Sequence, residues 1–155
     1  MRTLQRLVML AFLGTMLAAG CGWEFPGVQA SPITGPLVTV ETRGGECPAG
    51  ACGQTTVVER DGRVHLTAPA PAELGAVDPT LLEALRVEID RADFAALASR
   101  PFTGECPTAF DGQETIFTFA TATGSHRLAS CEVVIDPENP LFVAGLAAIG
   151  SAAAP

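Results

Sequence analysis

The hydrophobic positions of residues 37–67 fall into three short runs that are rich in β-branched residues and bounded by Gly, Pro or Asp. Such runs predict β-strands, here over Leu37–Thr42, Thr55–Glu59 and Arg63–Thr67. The last two runs flank Asp61-Gly62, a dipeptide that is typical of two-residue hairpin turns. The Pro- and Ala-rich stretch 67–77 predicts a loop after this hairpin.

Apolar residues then recur at helical spacing. Asp78-Pro79 supplies an N-cap side chain and a first-turn proline, which predict a helix that continues to about Arg91. A second, short helix is predicted over Asp93–Ser99. It should end before Arg100-Pro101, because the residue before a proline disfavours helical backbone. The positions expected to face the sheet are Leu82, Leu85 and Ile89 in the first helix, with Phe94 and Leu97 in the second.

The second half of the chain repeats the order of the first. Gly45-Glu46-Cys47-Pro48 recurs as Gly104-Glu105-Cys106-Pro107, and seven of the twelve positions in 45–56 are identical in 104–115. A hairpin and a helix follow each copy. This order favours the duplication of a strand–strand–helix unit, with copies over about 45–91 and 104–150.

The second hairpin is predicted with its turn at Thr123-Gly124 and its return strand over His126–Ile135. Asn139-Pro140 opens the last helix, whose expected apolar stripe is Phe142, Leu146 and Ile149. Two hairpins and two helices pack most simply as an α+β fold. We therefore expect a single domain over residues 37–150, with an antiparallel sheet of four to five strands and two main helices on one face.

The acidic balance of the chain excludes one class of partner. Nine basic residues, all of them arginines, stand against 17 acidic ones, and there is no tyrosine. Nucleic-acid binding requires a cationic face that displaces counterions, so no nucleic-acid partner is expected. The absence of lysine removes Schiff-base chemistry from the available mechanisms.

The first 21 residues have the organisation of an export signal. Arg2 and Arg6 precede an apolar run, Leu7–Leu17, which is shorter than the roughly 20 residues that span a bilayer. Leu17-Ala18-Ala19-Gly20-Cys21 resembles the lipobox of bacterial lipoproteins, with Ala18 where leucine is commonest. The resemblance implies cleavage before Cys21 and the attachment of lipid, palmitate included, to that residue.

Under this interpretation residues 1–20 are the signal peptide and residues 21–36 are a flexible tether, with three prolines and three glycines in sixteen positions. We expect a protein of the cell envelope that is lipid-anchored to a bacterial membrane and faces the periplasm or the exterior. The alternatives are an ordinary secreted protein cut near Gly20 and an uncleaved N-terminal helix.

Four cysteines follow Cys21, and an even number in an exported chain predicts two disulfides. The local pairing, Cys47–Cys52 with Cys106–Cys131, is the expected one. The rival is Cys47–Cys106 with Cys52–Cys131, because the repeat places Cys47 and Cys106 at equivalent positions. Neither local pair has the two-residue spacing of zinc sites, so we expect no metal and no cofactor.

Candidate catalytic residues are few. His65 and His126 alone could serve as bases near neutral pH, and we expect a solvent-facing strand position for the first and a turn position for the second. An enzyme would require one of them to approach a carboxylate in a cleft. Asp111-Gly112 is interpreted as a turn before a strand at Glu114 rather than as part of a calcium loop. No catalytic residue is therefore predicted, and the protein is not expected to be an enzyme.

The remaining expectation is a non-catalytic domain that binds a protein partner in the envelope or outside the cell, or that supports envelope assembly. The alternative is an inhibitor of an extracellular protease. Between Cys47 and Cys52, the residues Pro48, Ala49, Gly50 and Ala51 would form a small disulfide-tied loop that loses little entropy on binding. The plainer interpretation of this loop is a staple that joins two strands.

Overall fold

The computed structural model describes residues 35–46 and 52–152, which form one antiparallel sheet with helices packed against it. The strands are β1 (Val38–Gly44), β2 (Gly53–Val58), β3 (Arg63–Ala68), β4 (Ala72–Ala76), β5 (Gln113–Thr121) and β6 (Gly124–Ala129). The helices are α1 (Pro79–Arg91), α2 (Phe94–Ala98) and α3 (Pro140–Ala152), and a 3-10 helix spans Pro107–Phe110. The predicted α+β class is confirmed, with six strands in place of four to five.

The first strand lies at the centre of the sheet. The spatial order is β4-β3-β2-β1-β5-β6, and every neighbouring pair is antiparallel. Val38 stands opposite Val58 on one side and opposite Phe119 on the other. The two predicted hairpins, β2–β3 and β5–β6, therefore flank β1 on its two edges.

One face of this sheet forms the hydrophobic core with the helices. Val38 and Val40 are buried on this face, whereas the alternate residues Thr39, Glu41 and Arg43 point to the other face. The other core residues are Val58, Val64, Phe117, Phe119 and Leu128 from the strands, Leu82, Leu85, Ile89, Phe94, Leu141, Phe142, Ala148 and Ala152 from the helices, and Leu37 and Val77 from the segments that precede β1 and α1. The stripe predicted for α1 is thus confirmed.

Side-chain caps fix where the helices begin. The Asp78 carboxylate accepts a hydrogen bond from the Thr80 amide at 2.8 Å, and Pro79 takes the first helical position. The side-chain oxygen of Asn139 accepts from the Leu141 amide at 3.0 Å at the start of α3. Both caps agree with the cap-plus-proline pairs in the sequence.

Strand β4 was not predicted. Its residues Ala72–Ala76 lie in the stretch expected to be a loop, and Ala, Glu and Gly are weak strand formers. Tertiary packing supplies what propensity does not: β4 pairs with β3, and a Cβ on Gly75 would lie 3.1 Å from the Ala152 carbonyl oxygen. Pairing with β3 and the close approach of the end of α3 both stabilise this strand.

Strand β6 is shorter than the predicted return strand 126–135. The amides of Glu132 and Val133 both donate to the Ala129 carbonyl at 2.9 Å, which turns the chain out of the sheet. Residues beyond this turn pair with 100–102 instead, through the Val134 amide and the Arg100 carbonyl at 2.8 Å. The apolar alternation of 129–135 therefore belongs to a second, irregular pairing.

Leu146 does not belong to the buried stripe of α3. Its side chain is 53% exposed, whereas Phe142, Gly145 and Ala148 are buried. Helix α3 carries no charged residue, so the sequence pattern does not show which face turns inward. The prediction for Leu146 was wrong for this reason.

The strand–strand–helix order occurs twice, as β2–β3 before α1 and as β5–β6 before α3. Both β2 and β5 run antiparallel to β1, but β3 and β6 lie on opposite sides of the sheet. With the helices on the same face, the two units have opposite hands and do not superimpose. Their origin by duplication stays a prediction.

Arg60 connects several segments at one end of the sheet. From the β2–β3 turn its guanidinium donates to the Gly35 carbonyl at 3.2 Å and to the Ala120 carbonyl at 3.1 Å. The Arg60 carbonyl in turn accepts from the Arg86 guanidinium of α1 at 2.6 Å. This arrangement, the Arg60 clamp, connects the β2–β3 turn to the segment that precedes β1, to the end of β5 and to α1.

Candidate functional site

Two cavities open beside the junction between α1 and α2. The first, the hairpin cavity, has a volume of about 560 Å³ and lies between this junction and the β5–β6 turn. The second, the helix cavity, has a volume of about 370 Å³ and lies between the junction and the start of α3. Arg91, Ala92 and Asp93 line both, so we treat them as one junction groove. Volumes in this range are typical of small-molecule sites.

A stacked ring pair lines the hairpin cavity. The rings of Phe94 and His126 have centroids 4.2 Å apart and planes 6° apart. Asp93 caps α2 through the Ala96 amide at 2.9 Å and so makes Phe94 the first residue of that helix. On the other side, His126 Nε2 lies 3.2 Å from Thr121 Oγ1. The ring pair thus connects α2 to the β5–β6 hairpin.

The sequence suggested a turn position for His126, and the structure does not place it there. It lies within β6 opposite Phe119, on the face that the helices cover. No spacing in the sequence connects His126 with Phe94, so this pair could not be found by motif search. The remaining hairpin-cavity residues are Ile89, Asp90, Arg91, Ala92, Asp93, Ala95, Thr121, Ala122 and Thr123.

The helix cavity combines an apolar floor with charged side chains. Its apolar residues are Ala92, Ala96, Leu97, Pro140 and Leu141. Its polar residues are Glu88, Arg91, Asp93, Arg100 and Asn139. None of these was a candidate site residue at the sequence level.

His65 lies away from the groove. It projects from β3 between Val57 and Glu73, on the face opposite Val64, as the alternation predicted. Its Nε2 is 3.9 Å from Glu59 Oε1, and its side chain is 21% exposed. Its buried Nδ1 has no hydrogen-bond partner among the described residues. This position is less open than the solvent-facing one that we expected.

One of the two predicted local disulfides lies within the described residues and is present. Cys106 and Cys131 form a disulfide with their Cα atoms 5.1 Å apart, which excludes the rival pairing of Cys106 with Cys47. Cys52 is disulfide-bonded as well. Cys21, Cys47 and the candidate loop Pro48, Ala49, Gly50 and Ala51 lie outside the described residues, so the Cys47–Cys52 pairing and both roles of the loop stay predictions.

The segment Asp111–Glu114 forms a turn and an ion pair. Asp111 ends the 3-10 helix with left-handed backbone, φ 61°, and Gly112 donates its amide to the Pro107 carbonyl at 2.8 Å. Glu114 is buried, and its Oε2 accepts from Arg43 Nε at 2.7 Å. This hydrogen bond raises the pKa of the Arg43 guanidinium. The turn interpretation agrees with this geometry, and the ion pair accounts for Glu114.

The part of the chain that the structure describes contains no metal-binding cluster of the usual kind. Across residues 35–46 and 52–152, no group of three His, Cys, Asp or Glu side chains is placed to hold a metal ion. In the same ranges no helix has the length and apolarity that crossing a membrane requires. No protein-family model, curated protein or solved structure matches this chain.

Proposed function

We propose that this protein is a lipid-anchored extracytoplasmic domain that acts by binding a ligand in the junction groove. The observation that carries the proposal is the groove itself, with two cavities that share Arg91, Ala92 and Asp93. Apolar walls with a few convergent polar groups are typical of sites that recognise small ligands or short peptides. The Phe94–His126 stack contributes a preformed wall, which lowers the entropic cost of binding.

Export and anchoring rest on the lipobox resemblance at Cys21 and on the cysteine chemistry of the domain. The Cys106–Cys131 disulfide supports an oxidising compartment, since stable disulfides are rare in the reducing cytosol. Residues 21–36 would leave the domain tethered near the membrane while the groove stays accessible.

A binding role is preferred to catalysis because of the surroundings of the two histidines. The imidazole of His126 contacts a threonine hydroxyl and a phenyl ring, and His65 Nε2 is 3.9 Å from Glu59, beyond hydrogen-bond distance. Within the part of the chain that the structure describes, neither imidazole is hydrogen-bonded to a carboxylate. Protease inhibition by residues 48–51 is the alternative function, and a protease panel would test it.

The anchor is tested in a bacterium that processes lipoproteins, with Cys21→Ser as the control variant. We expect the wild-type chain to enter the detergent phase with the intact mass of residues 21–155 plus acyl chains. The variant should be recovered in the aqueous phase without acyl mass. Equal partitioning of the two proteins would refute the anchor.

The groove is tested by a small-molecule fragment screen read through backbone amide NMR shifts of the domain. We expect hits to move the amides around Phe94 and His126. Ala122, an exposed residue of the β5–β6 turn, lines the hairpin cavity, so Ala122→Trp should fill it and abolish these shifts without disturbing the core. Hits that cluster elsewhere, or that bind Ala122→Trp equally well, would refute the groove as the binding site.

A further inference from the structure

One arginine side chain has no hydrogen-bond or ion-pair partner among residues 35–46 and 52–152. Six of the seven arginines in residues 35–46 and 52–152 donate to a carbonyl or lie beside a carboxylate. Those six are Arg43, Arg60, Arg63, Arg86, Arg91 and Arg127. The seventh, Arg100, lines the helix cavity, and its guanidinium makes no hydrogen bond or ion pair within those ranges. A guanidinium with five unused donors is suited to receive a planar anion.

Each carboxylate of the same cavity has one oxygen in contact with another group of the protein. Glu88 Oε1 lies 3.7 Å from Arg91 Nη1, and Asp93 Oδ1 accepts from the Ala96 amide at 2.9 Å. Asn139 uses its side-chain oxygen to cap α3, which leaves its amide nitrogen as a donor. Arg100 and Asn139 are therefore the cavity residues whose side-chain donors have no acceptor among residues 35–46 and 52–152.

The apolar residues of the cavity indicate that the rest of the ligand is aliphatic. Leu97, Pro140 and Leu141 line the cavity beside Arg100, and about 370 Å³ accommodates a short aliphatic body. The chain carries a formal net charge of −8, and this field repels a dianion more strongly than a monoanion. Both observations favour a singly charged group on an apolar body.

We propose that the helix cavity binds an amphipathic monocarboxylate whose carboxylate is held by Arg100. The planar fork of an arginine matches a carboxylate through two parallel hydrogen bonds. Asn139 would donate to the same carboxylate, and Leu97 and Leu141 would cover the aliphatic part. This inference rests on the proposed binding function of the junction groove. A free short-chain acid and the C-terminal residue of a peptide share this chemistry.

The test uses the full mature chain with four probes in amide NMR titrations: octanoate, octanamide, the peptide Ala-Ala-Ala-Leu with a free carboxylate, and the same peptide amidated. We expect saturable shifts at Leu97, Arg100 and Leu141 with a carboxylate probe and at least tenfold weaker binding of its amide. Binding of octanoate but not of the peptide identifies a free acid as the ligand type. Binding of the peptide but not of octanoate identifies a chain terminus.

Two variants separate a carboxylate site from general electrostatics. Arg100→Gln should weaken the preferred probe at least tenfold, whereas Arg63→Gln, with the same charge change outside the groove, should leave its affinity unchanged. Arg100→Lys keeps the charge but loses the fork, so it should bind with intermediate affinity. Far-UV circular dichroism and a thermal melt establish that each variant is folded.

Absence of saturable binding by all four probes would overturn the inference, as would equal binding of acid and amide or undiminished binding by folded Arg100→Gln. These outcomes leave the wider proposal standing if fragments still bind the hairpin cavity. Failure of the Cys21→Ser partition experiment refutes the anchor and has no bearing on Arg100. The two levels of the proposal therefore fail separately.

Discussion

Removing the Arg60 guanidinium should destabilise the end of the sheet where the β2–β3 turn contacts β5 and the segment before β1. The hydrogen bond to the Gly35 carbonyl is exposed, and we assign it about 0.5 kcal/mol; the bond to the Ala120 carbonyl is partly buried and charge-assisted, at about 1.5 kcal/mol. Arg60→Ala should therefore lower the free energy of unfolding by about 2 kcal/mol. For a domain of this size that corresponds to a fall in Tm of about 8 °C.

The assay is urea denaturation with the disulfides intact, followed by far-UV circular dichroism. The one tryptophan of the chain, Trp23, precedes the described domain and there is no tyrosine, so intrinsic fluorescence is a poor reporter of the core. Arg60→Lys keeps the charge but cannot reach both carbonyls with a fork, and should lose about half as much stability. Arg63→Ala removes an exposed arginine near the same turn and serves as the control.

The outcome that refutes this account of the clamp is specific. If Arg60→Ala and Arg63→Ala change the free energy of unfolding by the same small amount, the two carbonyl contacts do not stabilise the fold. If Arg60→Lys loses as much stability as Arg60→Ala, the shape of the guanidinium, and not its charge, accounts for the stabilisation.

Three further predictions follow from the packing and the charges. Cys106→Ser opens the loop that the Cys106–Cys131 disulfide closes, and it should lower the free energy of unfolding by about 3.5 kcal/mol by the chain-entropy relation. Guanidinium denaturation measures this loss, and an unchanged free energy of unfolding on reduction of the wild type would contradict it. Phe142→Ala should lower the free energy of unfolding by about 3–5 kcal/mol because the phenyl ring is buried, whereas Leu146→Ser should lower it by less than about 0.5 kcal/mol. Equal losses of stability in thermal melts would contradict the assigned faces of α3. The Arg63 amide and guanidinium lower the pKa of Asp61, so its contribution to stability is present above the unfolded pKa of about 3.9 and is lost as the pH falls through the lower folded pKa. Asp61→Asn should therefore lose less stability than the wild type over this acid range in pH-dependent melts, and identical pH profiles would refute the coupling.

The elements that sequence patterns predicted well are those whose local chemistry agrees with their packing. Helix α1 begins at its Asp78 cap and buries Leu82, Leu85 and Ile89, because its polar residues define one outer face. The first hairpin forms around Asp61-Gly62, where Gly62 adopts a positive φ of 91°. In both cases the residues that set the boundary are adjacent in sequence.

The misjudged elements depend on residues that are distant in the chain. Strand β4 needs β3 and the end of α3, and the shortened β6 needs residues 100–102, so neither can be read from its own composition. The candidate site has the same character, because His126 in β6 and Asn139 before α3 are distant in the chain from Phe94 and Arg100. Only folding brings such residues together, and no spacing rule anticipates them.

The central position of β1 has a consequence for the order in which the domain can be completed. Synthesis from the N-terminus supplies β2, one neighbour of β1, soon after β1 itself, but β5 is made only after α1, α2 and the 3-10 helix. Until β5 is present, the backbone of Val38–Gly44 has an unpaired edge next to apolar side chains, and such an edge can template pairing with another chain. A nascent or truncated chain that ends before Gln113 is therefore the species most prone to aggregate, and a chaperone that protects this domain would need to cover the β5 side of β1.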